Sequence, residues 1–271
     1  MQQDISQEKY SEQQPLLKDH GSGPDALHPY HRKMLGCPCP AVASMINHSY
    51  LNVENSNQKI PIHKLIAALV ECYNFSWTFA ILIVVVGTLR LGKVLGFSIK
   101  ELGEHGKIEH DASMTRLDVD KGNALEPNPG LIDELFKSLD SGVDSKSKTM
   151  TLEDFAKKKL ELEKQVTKYD YQSKSAVNFL GRGEVCLALQ AHRHLGTGFD
   201  SPKAKDVNQD GAMEANTSWM RTWFLEERLP VELGWKRPAS KITIRRTWGM
   251  MKEMKARQDR LSQKDEPGMG L

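Results

Sequence analysis

Four cysteines in 271 residues (Cys37, Cys39, Cys72 and Cys186) are too few for a disulfide framework, and no two show the CxxC spacing of a zinc site. Each has to be read from its own surroundings. The chain also lacks an excess of either charge: 37 Lys and Arg stand against 35 Asp and Glu, a net +2, so the balance gives no reason to expect nucleic acid as a partner. The one basic concentration, Lys236 to Arg257, is interleaved with apolar residues. A third lack is at the N-terminus, where residues 1–31 are Gln-rich and mixed in charge, without the apolar stretch of ~7–15 residues that a secretory signal needs. The expectation is an intracellular chain with free thiols and with unglycosylated sequons at Asn47, Asn74 and Asn216.

Long apolar runs are scarce too. Cys72 to Leu89 carries no charge, which just reaches the length of a membrane-span candidate. Its uninterrupted apolar part, Phe79 to Val86, is only about 12 Å as helix against a hydrocarbon core of about 30 Å. The reading favours a buried central helix and keeps a membrane-associated form as the minor alternative. Upstream, Ile62, Leu65, Ile66, Leu69 and Tyr73 follow helical spacing and give a partner helix for it.

What is present is mostly helical periodicity. After a turn-rich connection at 118–130, Leu131, Ile132, Leu135, Phe136 and Leu139 mark one helix. Thr151 heads another, with Leu152, Phe155, Leu162 and Val166 on one face. Lys174 to Leu195 carries a broader apolar face, and Thr217 or Ser218 can start a helix that Pro230 stops. Only Lys241 to Arg245 shows any two-residue alternation. The fold class expected is all-α: one largely helical domain with long loops over 31–248, an N-terminal arm (1–30), and a C-terminal helix and tail (249–271).

Three clusters carry chemistry. Cys39 sits between Pro38 and Pro40 ahead of AVASMINHSYL, so Pro40 suits the first helical position and the amides of Ala41, Val42 and Ala43 face the sulfur. Free amides and the positive helix end favour a thiolate able to ligate a metal or haem iron, with an inert loop cysteine as the bland alternative. Glu109-His110-Asp111-Ala112-Ser113 offers hard oxygen ligands suited to Mg²⁺ or Mn²⁺, and Asp111 can hold the His110 ring in one tautomer; a solvated polar turn is the competing reading. Glu184 lies inside an apolar helix, where burial is expected to raise its pKa toward the acid–base range, unless it is simply paired at the core edge with Arg182 or a histidine. Asp206 to Gly211 begins like a calcium loop, but Thr217 stands at its twelfth position, so it reads as a turn. His105 and His110 are five apart and do not make HExxH, and His192-Arg193-His194 reads as decoration of a helix end.

Taken in order, Pro38-Cys39-Pro40, Asn47-His48-Ser49-Tyr50, Glu109 to Ser113, Glu184, and Glu226-Glu227-Arg228-Leu229-Pro230 with Gly234-Trp235 resemble the fungal haem-thiolate peroxidases, the family of chloroperoxidase and the unspecific peroxygenases. The likeness runs from about Leu35 to Ile244. The EHD form is similar to the short peroxygenase branch and chloroperoxidase; the long branch has EGD and an arginine where Val177 stands here. The resemblance implies a helical fold, with the 72–89 segment inside the haem-bearing core, and Cys39 as axial thiolate of a haem b. Glu184 would be the distal acid–base, assisted by a His110 that Asp111 orients. Glu109, the His110 carbonyl and Ser113 would hold Mg²⁺ or Mn²⁺. The activity implied is hydrogen-peroxide-dependent oxygen insertion into small organic substrates. Halide oxidation or one-electron peroxidation on the same haem remains the alternative within chemistry. A non-catalytic helical scaffold or membrane-associated protein is the alternative from another class. A homo-oligomer stays open. Two features depart from the family pattern: Ser49 stands where relatives have glycine, and Cys37 lies two residues from the expected ligand, where it can compete for iron or oxidise.

Overall fold

The computed structural model describes residues 28–140, 149–165, 171–193 and 214–265. Helix α1 (Pro40–Asn47) starts where the sequence indicates, with Cys39 as extended N-cap and Pro40 at the first helical position. Its inner face, Val42, Ala43, Met45 and Ile46, is buried. Strand β1 (Lys59–Pro61) leads into α2 (Ile62–Tyr73) and α3 (Trp77–Arg90), and the chain returns through β2 (Gly96–Ser98) to pair antiparallel with β1. Gly96 has φ +152, and a Cβ there would lie 2.2 Å from the Ile60 carbonyl oxygen, so only glycine fits this strand pairing. A capping box between Ser98 and Glu101 opens the single turn α4 (Ile99–Leu102).

A long irregular segment then carries the chain to α5 (Pro129–Asp140). Strand β3 (Thr149–Thr151) leads into α6 (Leu152–Gln165), whose start is fixed by Thr151 and Asp154: each accepts from the other's backbone amide, at 2.8 and 3.4 Å. Helix α7 (Tyr171–Ala191) follows; β4 (Glu214–Asn216) pairs antiparallel with β3 and runs into α8 (Thr217–Glu226). A 3₁₀ turn (Val231–Leu233) precedes α9 (Ile244–Asp265). Helices α6, α7 and α9 pack on one another, joining Phe155, Val185, Leu189, Met250, Met251 and Met254 in one hydrophobic core. Truncating a residue such as Phe155, fully buried here, costs about 3–5 kcal/mol.

Several expectations change. The uncharged run 72–89 is not one buried helix. Asn74, left-handed at φ 58, ends α2 and bonds to the Pro238 and Ala239 carbonyls, and α3 starts only at Trp77. The helical repeat puts Phe79, Ala80, Val84 and Thr88 inside and turns Trp77, Ile81, Leu82, Val85, Val86 and Leu89 to solvent, because the core takes only one stripe. The two helices do pack together, and no helix among the described residues is long and apolar enough to cross a membrane.

Two short two-stranded antiparallel sheets accompany the helices, while in Lys241 to Arg245 only Ile242 forms a bridge, with Phe75. Helix α8 starts at Thr217, one of the two starts expected, with Asn216 as its N-cap accepting from the Trp219 amide at 3.1 Å. Helix α9 runs unbroken across residue 249, where a separate C-terminal segment was expected to begin. His192 does not decorate a helix end: it is fully buried against Trp223 and Trp235, and burial pulls its pKa down to about 4. The residues expected to form the turn at 206–211, together with Val166 and His194, lie outside the described residues.

Candidate active site

One pocket brings together Pro38, Cys39, Ile108, Glu109, His110, Ser113, Arg116, Ala124 and Glu184. Its elements are the N-terminus of α1, the irregular segment between α4 and α5, and the middle of α7. The sulfur of Cys39 comes from α1. Burial pushes its thiol up, while the amides of Val42 and Ala41 pull it down; they lie near the sulfur without meeting the geometry of a full cap bond. The net direction is upward, contrary to the expectation that the helix end alone would give a thiolate.

Glu184 projects from α7. Its side chain is 58% exposed, yet protein surrounds it, because the surface it exposes opens into the pocket. Its Oε2 lies 3.4 Å from His110 Nε2. Burial raises the carboxyl, but His110, then Lys159 and Arg116, outweigh that and hold it below the usual range. The expectation of a burial-raised Glu184 is thus overturned by three neighbouring cations. His110 shows the complement: burial lowers it, and Glu184 raises it further than burial lowers it.

The His110 ring is held differently from the expectation. Its Nδ1 donates to the Asp111 backbone carbonyl at 2.7 Å, so Asp111 acts here through its main chain. The Asp111 carboxylate instead accepts from the Val119 amide at 3.1 Å. Since a carbonyl can only accept, Nδ1 carries a proton, and Nε2 offers one to Glu184 only in the imidazolium. Ala112 is left-handed (φ 58); its amide donates to Asp118 Oδ1 at 2.7 Å and its carbonyl accepts from Lys159 Nζ at 2.8 Å.

Lys159 was not singled out by sequence. It is buried in α6, with its amine pulled below its ordinary pKa by burial. Gly181 makes room for it: a Cβ there would sit 2.6 Å from Lys159 Nζ and 3.7 Å from His110 Cε1. Arg116, also missed, donates through Nη2 to the Cys37 carbonyl (3.1 Å) and to Glu227 Oε1 (2.8 Å), with both side chains almost fully buried. Its Nε is buried without a hydrogen-bond partner. Glu227 in turn offers its backbone carbonyl to Asn47 Nδ2 (3.1 Å), and the Leu229 amide donates to His48 Nε2 (3.0 Å). The Asn47-His48 and Glu226-to-Pro230 motifs therefore hold each other and tie α1 to the end of α8. Ser49 has φ +60, the backbone region in which a glycine fits without strain.

Cys37 is buried, donates its S–H toward the Cys39 carbonyl (3.4 Å), and has its thiol pushed well up by burial. Glu109 and Ser113 both line the pocket, and Ser113 Oγ accepts from the Thr115 amide at 3.3 Å. Glu109 Oε2 is 2.6 Å from His105 Nδ1, and His105, Glu109 and Asp111 offer ligand atoms within 4.8 Å of one another. The polar side chains the structure groups around Glu109 are thus His105 and Asp111 as well as Ser113.

The donor set suits a haem: a partly exposed sulfur and an exposed carboxylate face one open pocket, and apolar Pro38, Ile108 and Ala124 share its wall. Among comparisons with known proteins, the model of peroxidase family 2 matches residues 28–240. No curated protein matches the chain.

Proposed function

The chain belongs to peroxidase family 2, haem peroxidases that act with hydrogen peroxide on small molecules, and from that premise we propose that it is a haem-thiolate peroxygenase. The observation that carries this reading is the placement of Cys39 and the Glu184–His110 pair on one pocket. Cys39 holds the haem iron through its sulfur, and the Val42 and Ala41 amides temper the charge there. A haem so ligated supplies the electron push that favours O–O cleavage.

The protein's part is proton handling. Glu184 would take a proton at its carboxylate from one peroxide oxygen and return it to the other, the oxygen that departs as water, with the haem supplying the two electrons for O–O cleavage. His110, as imidazolium, steadies the carboxylate before and after each transfer; the Asp111 carbonyl keeps its ring in place. Lys159, seated beside Gly181 of α7, helps to hold the Glu184 carboxyl below its usual range. Ile108, Ala124 and Pro38 give the pocket an apolar wall suited to an organic substrate. In the same reading Glu109, with Ser113 and the His110 carbonyl, holds Mg²⁺ or Mn²⁺ as hard oxygen ligands; elemental analysis of wild type against Glu109→Gln tests it.

The deciding experiment is turnover with ¹⁸O-labelled hydrogen peroxide and a small alkene or arene. Labelled epoxide or phenol supports oxygen transfer. Unlabelled coupling products, or turnover only with added halide, would assign the site to one-electron or halide oxidation instead.

A further inference from the structure

The outer face of α3 has no role in the pocket. Trp77, Ile81, Leu82, Val85, Val86 and Leu89 are exposed along it, and Val94 and Leu95, just beyond its end, are 73% and 82% exposed. These eight side chains form an apolar ridge along a helix about 21 Å long, far beyond the scattered apolar residues of an ordinary surface.

Charge frames the ridge at both ends. At the N-terminal end the Ser76 amide donates to the Ile242 carbonyl, and Arg237 donates to Val70 O and Asn74 Oδ1. This joins the ridge to residues 234–252, which contain six Lys and Arg and no Asp or Glu. Lys236, Arg237, Lys241 and Arg245 are exposed there, and so is Trp248. At the C-terminal end Lys59 and Lys93 share Glu101, Lys107 pairs with Glu104, and Arg90 closes the helix, leaving four cations against two carboxylates.

We propose that this ridge docks the protein on an anionic lipid surface, with α3 lying in the plane of the interface. The face seats among the headgroups and upper acyl chains, and the basic segment 236–245 meets the phosphates and carboxylates around it. An apolar helix face rimmed by lysine and arginine is the arrangement that binds such surfaces. Docking also places the pocket close to lipid: a Cβ at Gly87 of α3 would lie 4.0 Å from Ile108, which lines the pocket.

The test is co-sedimentation of the full, haem-loaded chain with phosphatidylcholine vesicles containing or lacking phosphatidylserine, beside sedimentation velocity without lipid. Binding to the serine-containing vesicles, weakened by salt and abolished by Val86→Glu, is expected. Lys236→Gln with Lys241→Gln should weaken it about 25-fold, about fivefold for each lost cation. Absence of binding by the folded wild type overturns the proposal. So does a concentration-dependent dimer that Val86→Glu dissolves in a protein ignoring vesicles, which would make the ridge a contact between copies. The vesicle readout does not depend on turnover, so it stands apart from the outcome for the proposed activity.

Discussion

Around the pocket, Glu109, His110, Asp111, Arg116, Lys159 and Glu227 are buried, and each has a bonded partner. Along α3 the chain does the reverse, turning six large apolar side chains to solvent. Neither arrangement helps folding by itself: a buried charge must recover its lost hydration from neighbours, and an exposed apolar face forgoes the stabilisation of burial. In the pocket the compensation is internal and visible, as carbonyls, carboxylates and guanidinium in contact. On α3 none comes from the described residues. The contrast teaches that one region satisfies its own buried charges, while the other leaves an apolar face that the described residues do not cover.

The largest effect should come from Cys39→Ala, which removes the one sulfur that lines the pocket among the described residues and should reduce peroxide-dependent turnover to background, with loss of the thiolate-type absorption band. Next, Glu184→Gln keeps the shape of α7 but not the proton acceptor. It should slow turnover by ~10²–10⁴-fold while haem stays bound, read by steady-state kinetics and absorption. Third, Arg116→Ala leaves Glu227 buried without its guanidinium and should destabilise the fold by about 3–5 kcal/mol in urea unfolding. Arg116→Met with Glu227→Leu should recover much of that.

A smaller effect follows from pH. Burial pushes Glu227 up to about 7, against the pull of Arg116. The folded chain therefore binds this proton more tightly than the unfolded one. Its contribution to stability is full below the ordinary carboxylate range and is lost as pH rises through about 7. Melting temperatures across roughly pH 5 to 8 should fall for wild type and less steeply for Glu227→Gln. Smallest of all, Leu82→Ser or Val86→Ser on the α3 face should change stability by no more than ~0.5 kcal/mol. A loss several times larger would show that the face packs against something within the chain and would dissolve the contrast.

How far the sequence carries this account depends on how local each feature is. The start of α1 at Cys39-Pro40, the Thr151–Asp154 start of α6 and the polar turn at Glu109 to Ser113 were all legible, because their signals lie within a few residues. Arg116 was not legible as a brace, since its partner Glu227 lies far along the chain and only tertiary packing joins them. Nothing in Lys157-Lys158-Lys159 shows that the third side chain reaches the pocket; that depends on α6 meeting α7 at Gly181. The direction of the Glu184 shift failed for the same reason, because its cations come from two other segments, His110 and Arg116 from the stretch between α4 and α5 and Lys159 from α6. Periodicity found the α3 segment, but a helix apolar on nearly every side carries no mark of which face the core will leave uncovered.

The most direct test of the central claim is the absorption spectrum of the purified, haem-loaded protein, reduced, with and without carbon monoxide. The account predicts a strongly red-shifted Soret band that is present in wild type and Glu184→Gln and absent in Cys39→Ala. A wild-type protein that takes up no haem, or a band that survives the loss of Cys39, would contradict it.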